Sequence, residues 1–560
     1  MAEDLRDKAG KRRYAVCCVA VDVVLVVVLG LVTLGQASFS FAYSQNALLP
    51  NIALLLLAAA MLALLAVLRV RFAARPYPVG FWRRLPFVWA ALLLIVQLVV
   101  ARSVWFYPGW DVQSVYEAAG QIATGQPFNG DYFRLCPNNA PLTLLLAVPL
   151  WAAGRLGLAV PYAVLTYTGE LMVNLACLFA ALCVWRLTPS RFSRLGTLFL
   201  GTFWIALSLT ATVPYTDAFS ILFPALALYL WLRVKKQFVK WLAVSFVCFF
   251  GASIKPTALI FLLALLLVSV LGALRRGSWN RAWWRRAGAV CLAVALGAAP
   301  AALWQVMTTA YLAGSAQPQE QLSETHYLML GMNGETYGGH SPEDVAYSSS
   351  FPTLALRRQA NLARAWERVS GRTFGQNLFF FSVKAYKAFS DGSLAANQSY
   401  LTLSKPARGD ALSRFLRAVY YKNGALNPLW TTFSQLMWMG VLLLCLAALF
   451  GRAGRNRVTA ALALTLFGAL CYLLLFEVWP RYLYLFTPLF TVLAALGRSA
   501  CACREGTEGK RVPTAPRHRR ERPIGEERSE QAGCSAACDD KATGYGLVAC
   551  GLNTSRCRLI

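Results

Sequence analysis

The chain has 560 residues, 57% hydrophobic and only 14% charged, with a formal net charge of +28. Soluble globular chains carry roughly 25% charged residues, so a soluble enzyme is excluded, and repeated apolar runs of about 20 residues mark a polytopic membrane protein. The positive charge does not imply a nucleic-acid partner, because Lys and Arg cluster in short connections between apolar runs, where they meet anionic headgroups.

Taken in order, residues 1–14 carry Lys8, Lys11, Arg12 and Arg13, which place the N-terminus in the cytoplasm. The first apolar run is too long for a signal peptide and lacks a small-residue cleavage site, so it reads as a retained helix. Residues 15–104 hold three transmembrane helices, at about 15–37, 48–68 and 86–104, with five arginines between the second and third. The third helix delivers Tyr107-Pro108-Gly109-Trp110-Asp111 to the outer face, opening a loop over 105–140. Residues 112–124 have helical spacing, with Val112, Val115, Tyr116 and Ala119 on one face and Asp111 in the N-cap position.

Residues 141–310 hold further membrane helices. An odd number of crossings must join outer Asp111 to inner Arg186, yet two apolar runs intervene, at about 141–156 and 163–186. The first is short and contains Pro149, so it reads as a re-entrant or partial span. Two hairpins follow, with outer tips Val213-Pro214-Tyr215-Thr216-Asp217 and Ser253-Ile254-Lys255-Pro256-Thr257. A large outer loop (311–428) comes next, its stretch at about 353–390 helical and amphipathic, with Arg357, Arg358, Lys384 and Lys387. The last helices (429–499) bring Glu477-Val478-Trp479-Pro480-Arg481 outside, and 500–560 read as a disordered cytoplasmic tail. The total is about 12 transmembrane helices with a small extracytoplasmic part: an all-α polytopic membrane protein.

Of fifteen cysteines, six lie in the tail and only Cys136 falls in the outer loops, so no disulfide framework is available there. Asp111 stands at the outer mouth of a helix, where a lipid-linked substrate meets a water-soluble one, and suits a general base. Lys255 in apolar surroundings is costly unless functional and suits a lipid phosphate. Arg481 on the outer face runs against the positive-inside bias and suits phosphate as well; the competing reading pairs it with Glu477 four residues earlier. Asp217 also reads as a helix N-cap, and Glu170 with Asn174 reads as a structural network. His326 and His340, with Glu343 or Asp344, match no metal motif, so no cofactor is indicated, although a divalent metal is compatible.

In the order of these parts the chain resembles the GT-C superfamily of integral-membrane glycosyltransferases, such as the protein mannosyltransferases and lipid A aminoarabinose transferases. The resemblance covers roughly 80–497 and rests on five features. They are Asp111 in the first large outer loop, Asp217 at a hairpin tip, a large late loop, Glu477…Arg481-Tyr482-Leu483, and a final helix with Pro488. The Tyr132…Pro137-Asn138-Asn139 and Gly331…Gly338…Asp344 stretches look like those of uncharacterised Gram-positive members. Two helices precede the usual start of the family, and Val112 stands where many members have a second acid, leaving Glu117 and Asp131 as candidates.

The resemblance implies a GT-C-like helical bundle and transfer of a sugar, with inversion, from a polyprenyl-phosphate donor. The acceptor would be a cell-envelope glycan, lipid or protein outside the cell membrane. Asp111 would be the base, with Lys255, Arg481 and Arg134 binding the donor phosphate. Tyr132, Asn138, Asn139, Asp217, His326 and Tyr482 would bind sugar or acceptor. The main rival is a transporter or flippase of lipid-linked sugars using Asp22, Glu170 and Lys255. A glycan ligase or polymerase would keep the transferase chemistry but move a preassembled glycan, and a structural scaffold would tolerate Asp111→Asn.

Overall fold

The computed structural model describes residues 23–33, 35, 47–72, 79–158, 161–276, 281–313, 321–396, 409–450 and 457–503. Asp22 and the tail beyond 503 therefore lie outside the described residues. Among the described residues every extended regular element is a helix.

The first are α1 (Val23–Thr33), α2 (Asn51–Phe72) and α3 (Val79–Val104). Then come α4 (Trp110–Thr124), α5 (Asp131–Leu135), α6 (Ala140–Arg155) and α7 (Pro161–Leu187). The next run is broken into α8 (Arg191–Gly196), a π-helical turn (Thr197–Thr202) and α9 (Phe203–Ala206). It continues through α10 (Thr216–Ser220), α11 (Leu222–Arg233), α12 (Gln237–Ile254), α13 (Leu259–Arg276) and α14 (Arg281–Ala313). Four helices form a cap: α15 (Glu324–Gly331), α16 (Pro342–Ser349), α17 (Leu354–Ser370) and α18 (Phe374–Phe389). The described chain ends with α19 (Ala411–Tyr420), α20 (Asn427–Phe450), α21 (Arg457–Leu475) and α22 (Thr487–Cys503).

Among the described residues, eight helices are long and apolar enough to cross a membrane: α2, α3, α7, α12, α13, α14, α20 and α21. Such helices satisfy their own backbone groups and expose apolar side chains, which is what hydrocarbon demands. Ahead of the first hairpin tip the backbone turns π-helical over Thr197–Thr202. Gly201 there lies against the Thr491 side chain with no space for a Cβ, and Thr491 Oγ1 donates to the Gly201 carbonyl at 3.1 Å. The last helix, α22, is likewise preceded by a 3-10 segment, Pro480–Phe486.

Contacts at the helix ends fix the layout. Trp185 Nε1 donates to the Trp82 carbonyl at 2.7 Å, joining the start of α3 to the end of α7. At the opposite end the Trp105 and Tyr162 rings lie 5.6 Å apart, so α3 and α7 run antiparallel. The α6 helix packs beside α4 and makes no passage along the bundle. Asn139, before α6, bonds Tyr215, and Tyr162, after it, packs against Tyr107 and Tyr116, all at the Asp111 end. The α7 helix is then the single passage between Asp111 and Arg186.

Inside the bundle, Trp438 packs between Trp204 and Phe490, at 5.9 and 5.2 Å between ring centres. The buried acid Glu170 accepts Gln97 Nε2 at 2.7 Å, and Asn174 donates to Gln97 Oε1 at 2.8 Å. Glutamine thus bridges the Glu170 and Asn174 side chains, as a buried polar group requires.

The cap has the expected helices over about 353–390, and buries several of their basic residues. Lys384 is fully buried and donates to the carbonyls of Gly331, Leu474 and Phe476 at 2.6, 2.8 and 2.9 Å. Arg357 is also buried and donates to the carbonyls of Ser348, Gln321 and Phe351. These cations bind loops and helix ends that have spare carbonyls rather than lining a solvated face.

Candidate functional site

Asp111 lies in the first turn of α4, whose N-cap is Gly109 with no side-chain cap bond. The N-cap reading of Asp111 is thus corrected: its carboxylate is free for another role, beside the positive end of a helix. The chain enters α4 through Trp110, whose φ of 49° is left-handed, a region few residues other than glycine adopt. The buried face of α4 is Val112, Val115, Ala118 and Ala119.

The Tyr215 hydroxyl donates to Asp111 Oδ2 at 3.1 Å. Behind it, Asn139 Nδ2 donates to the hydroxyls of Tyr132 and Tyr215 at 2.5 and 3.1 Å. Asn138 sits at the edge, its amide 3.4 Å from Asn139 Oδ1. Burial foremost, and then the nearby Asp111 charge, raises the Tyr132 phenol, and the same two causes push the Cys136 thiol up to about 12. Tyr215 is raised mainly by burial. These groups stay protonated at neutral pH and act as donors around the one carboxylate.

Next to this network lies a cluster of charges. Lys255 forms an ion pair with Asp217, and Arg481 Nε approaches the other Asp217 oxygen at 3.9 Å. The Lys255, Asp217 and Arg481 side chains are 11, 6 and 19% exposed. Asp217 is in the first turn of α10, behind an N-cap at Tyr215, so it is not the helix cap that its position suggested. Its carboxylate is also taken up by the two cations rather than open to a sugar. Arg481 likewise does not pair with Glu477, which accepts from Trp479 Nε1 and Tyr482 Oη at 3.0 and 2.9 Å. The Tyr482 ring instead lies 4.6 Å beneath the Lys255 ammonium.

Aromatic rings join the two halves. The Arg481 guanidinium sits 4.5 Å over Trp110, and Trp110 packs edge-on to Tyr215 at 5.2 Å. Trp110 is 39% exposed, and a cation–π contact in such a place is worth about 0.5–1 kcal/mol. Trp110, Tyr215, Asp217, Leu394 and Arg481 line a crevice with about 10 Å³ of free space, the room of one water molecule. Leu394 is a second left-handed residue, with φ of 55°. Its turn is pinned by Asp391, which accepts the backbone N–H groups of Ser393 and Ala395 at 2.8 and 2.7 Å.

Two expected site residues lie elsewhere. Arg134 pairs with Asp131 at 3.4 Å, with side chains 48 and 71% exposed, and nothing ties it to the crevice. His326 is buried in the cap, its Nδ1 2.6 Å from Ser348 Oγ. Ser348 Oγ also lies 2.9 Å from Asn361 Oδ1, so His326 Nδ1 is taken up in a hydrogen-bond network within the cap. Asp344 is likewise occupied, by Arg368 and Asn333. Of the acids considered as a second carboxylate, Glu117 is exposed and bonded to Gln113, and Asp131 is exposed beside Arg134.

Sequence reasoning gave no role to Tyr215, Trp110 or Leu394. A signal existed for Tyr215: it lies in a hairpin tip and precedes Asp217 by two residues.

No curated protein and no solved structure matches the chain. A family model does, over residues 19–502, and its description is a conserved hypothetical integral membrane protein. Since that match covers most of the 560 residues, the chain belongs to this family of integral membrane proteins.

Proposed function

We propose that the protein is a membrane glycosyltransferase of the GT-C kind, moving a sugar from a polyprenyl-phosphate donor to an extracytoplasmic acceptor with inversion. The observation that carries this reading is that Asp111, Lys255 and Arg481, from segments far apart in sequence, are linked through Tyr215, Asp217 and Trp110, three residues that line one small crevice. A base and two cations are the groups that such a transfer needs.

In this mechanism Asp111 accepts the proton of the acceptor hydroxyl while its oxygen bonds to the anomeric carbon. The bond from that carbon to the phosphate oxygen breaks, and polyprenyl phosphate leaves with its electron pair. The departing phosphate gains negative charge, which Lys255 and Arg481 stabilise in a site of low dielectric. Asp217 neutralises one of the two cations before substrate arrives, leaving the cluster with one net positive charge. Tyr215 holds the Asp111 carboxylate, and Tyr132 with Asn139 holds Tyr215. The reading invokes no cofactor and drops Arg134 and His326 from the site. It also takes about 12 crossings, with the crevice facing away from the cytoplasm.

The test is purified protein in nanodiscs with a panel of radiolabelled polyprenyl-phosphate sugars. Release of polyprenyl phosphate with sugar appearing on an acceptor is the expected result. Movement of the intact sugar-lipid across the bilayer, without cleavage, would favour the flippase instead.

A further inference from the structure

The cap carries two hollows that the Asp111 reading leaves unused. One, of about 580 Å³, is lined by Asn333, Glu335, Ser341, Asp344, Arg364 and Arg368. The other, of about 470 Å³, is lined by Tyr337, Arg372, Gln376, Phe379 and Phe380. Gly334 borders both, so they abut as one groove. Each hollow is in the size range of small-molecule sites, roughly 300–1,000 Å³.

The charges along the groove balance. Glu335, Glu343 and Asp344 stand against Arg364, Arg368 and Arg372. Arg368 holds Asp344 through contacts of 2.6 and 3.0 Å, and Arg372 lies 4.0 Å over the Phe380 ring. A lining of cancelling charge has no field to gather a polyanion, but it is dense in donors and acceptors. The second hollow adds apolar surface: Phe379 is 61% exposed, beside Tyr337, which stacks on the buried Phe380 at 6.2 Å. Hydrogen-bonding edges beside aromatic faces match a sugar ring, which has hydroxyls around its rim and C–H groups on its face.

The turn between the hollows is built in advance. Asn333 Oδ1 accepts Glu335 N–H at 2.9 Å, and the Asn333 carbonyl accepts Gly338 N–H at 2.9 Å. Tyr337 is left-handed, with φ of 48°. Non-glycine residues held that way gather at ligand clamps, and here the strained residue presents the ring that stacks on Phe380.

We infer that this groove binds an uncharged oligosaccharide several residues long. Under the transferase reading, on which only this role rests, it anchors the acceptor glycan away from Asp111.

The experiment is calorimetric titration of the full chain in nanodiscs. The probes are neutral gluco-, manno- and galacto-hexasaccharides, with a hyaluronan hexasaccharide as the anionic comparator. At least one neutral hexasaccharide is expected to bind. Phe379→Ala and Arg364→Ala, both at exposed positions, should each weaken it tenfold or more without moving the melting temperature. Asp111→Asn should leave the affinity unchanged. Absence of binding by every neutral probe, equal or tighter binding of hyaluronan, or indifference to both groove substitutions would overturn the inference. Neutral binding sensitive to the groove, in a protein that turns over no sugar donor, would keep the groove and sink the transferase reading.

Discussion

The crevice at Asp111 and the groove on the cap differ in how they treat space and charge. The crevice has about 10 Å³ free, and its Asp217–Lys255 pair is almost out of solvent. The groove has hollows of about 580 and 470 Å³. Electrostatic effects strengthen as water is excluded, so the closed crevice is suited to chemistry and the open groove to recognition. Trp110 and Leu394, which line the crevice, are both held left-handed, at about 1–2 kcal/mol each for an L-residue.

The largest effect should come from the charge cluster. Asp217→Asn leaves Lys255 and Arg481 buried without a carboxylate, and about 3–5 kcal/mol of stability should be lost. Denaturant or thermal unfolding in detergent reads this directly. An unchanged unfolding curve would mean that the crevice is wet and resembles the groove.

Acid should separate the two regions next. Burial lowers the His326 imidazole to about 4, from an ordinary 6.5. Between those values the unfolded cap binds more protons than the folded one, so stability is full above 6.5 and falls as pH drops toward 4. The total is about 3 kcal/mol at 1.36 kcal/mol per pH unit. Limited proteolysis of the cap between pH 4 and pH 7 should show this loss in the wild type and a flatter profile in His326→Asn. Identical profiles would remove His326 as the cause.

The smallest effect is assigned to Arg134→Ala. Its pair with Asp131 is exposed, so stability should change by about 0.5 kcal/mol or less. Sugar transfer should be unaffected, and a clear loss of transfer would return Arg134 to the site.

The sequence was most legible where periodicity and turn chemistry act locally. Val112, Val115 and Ala119 marked the buried face of α4, and long apolar runs marked most of the spans. It was least legible where a residue's partner lies far along the chain. Arg481 has Glu477 four residues away, yet pairs with Asp217, a choice that no local spacing reveals. The burial of Lys384 and Arg357 was not legible because their acceptors are carbonyls in other segments. The break at Gly201 depends on Thr491, almost three hundred positions later. The apolar run at 141–156 is hydrophobic enough for a span, and only its two ends show that it makes no passage.

The central claim is that Asp111 acts as the base. The most direct measurement is donor affinity and turnover for wild type and Asp111→Asn, in nanodiscs, with the sugar donor that the wild type accepts. Loss of a base should lower turnover by about 10²–10⁴-fold, with donor affinity within about threefold of wild type. Equal turnover in the two proteins would contradict the account and remove Asp111 from the chemistry.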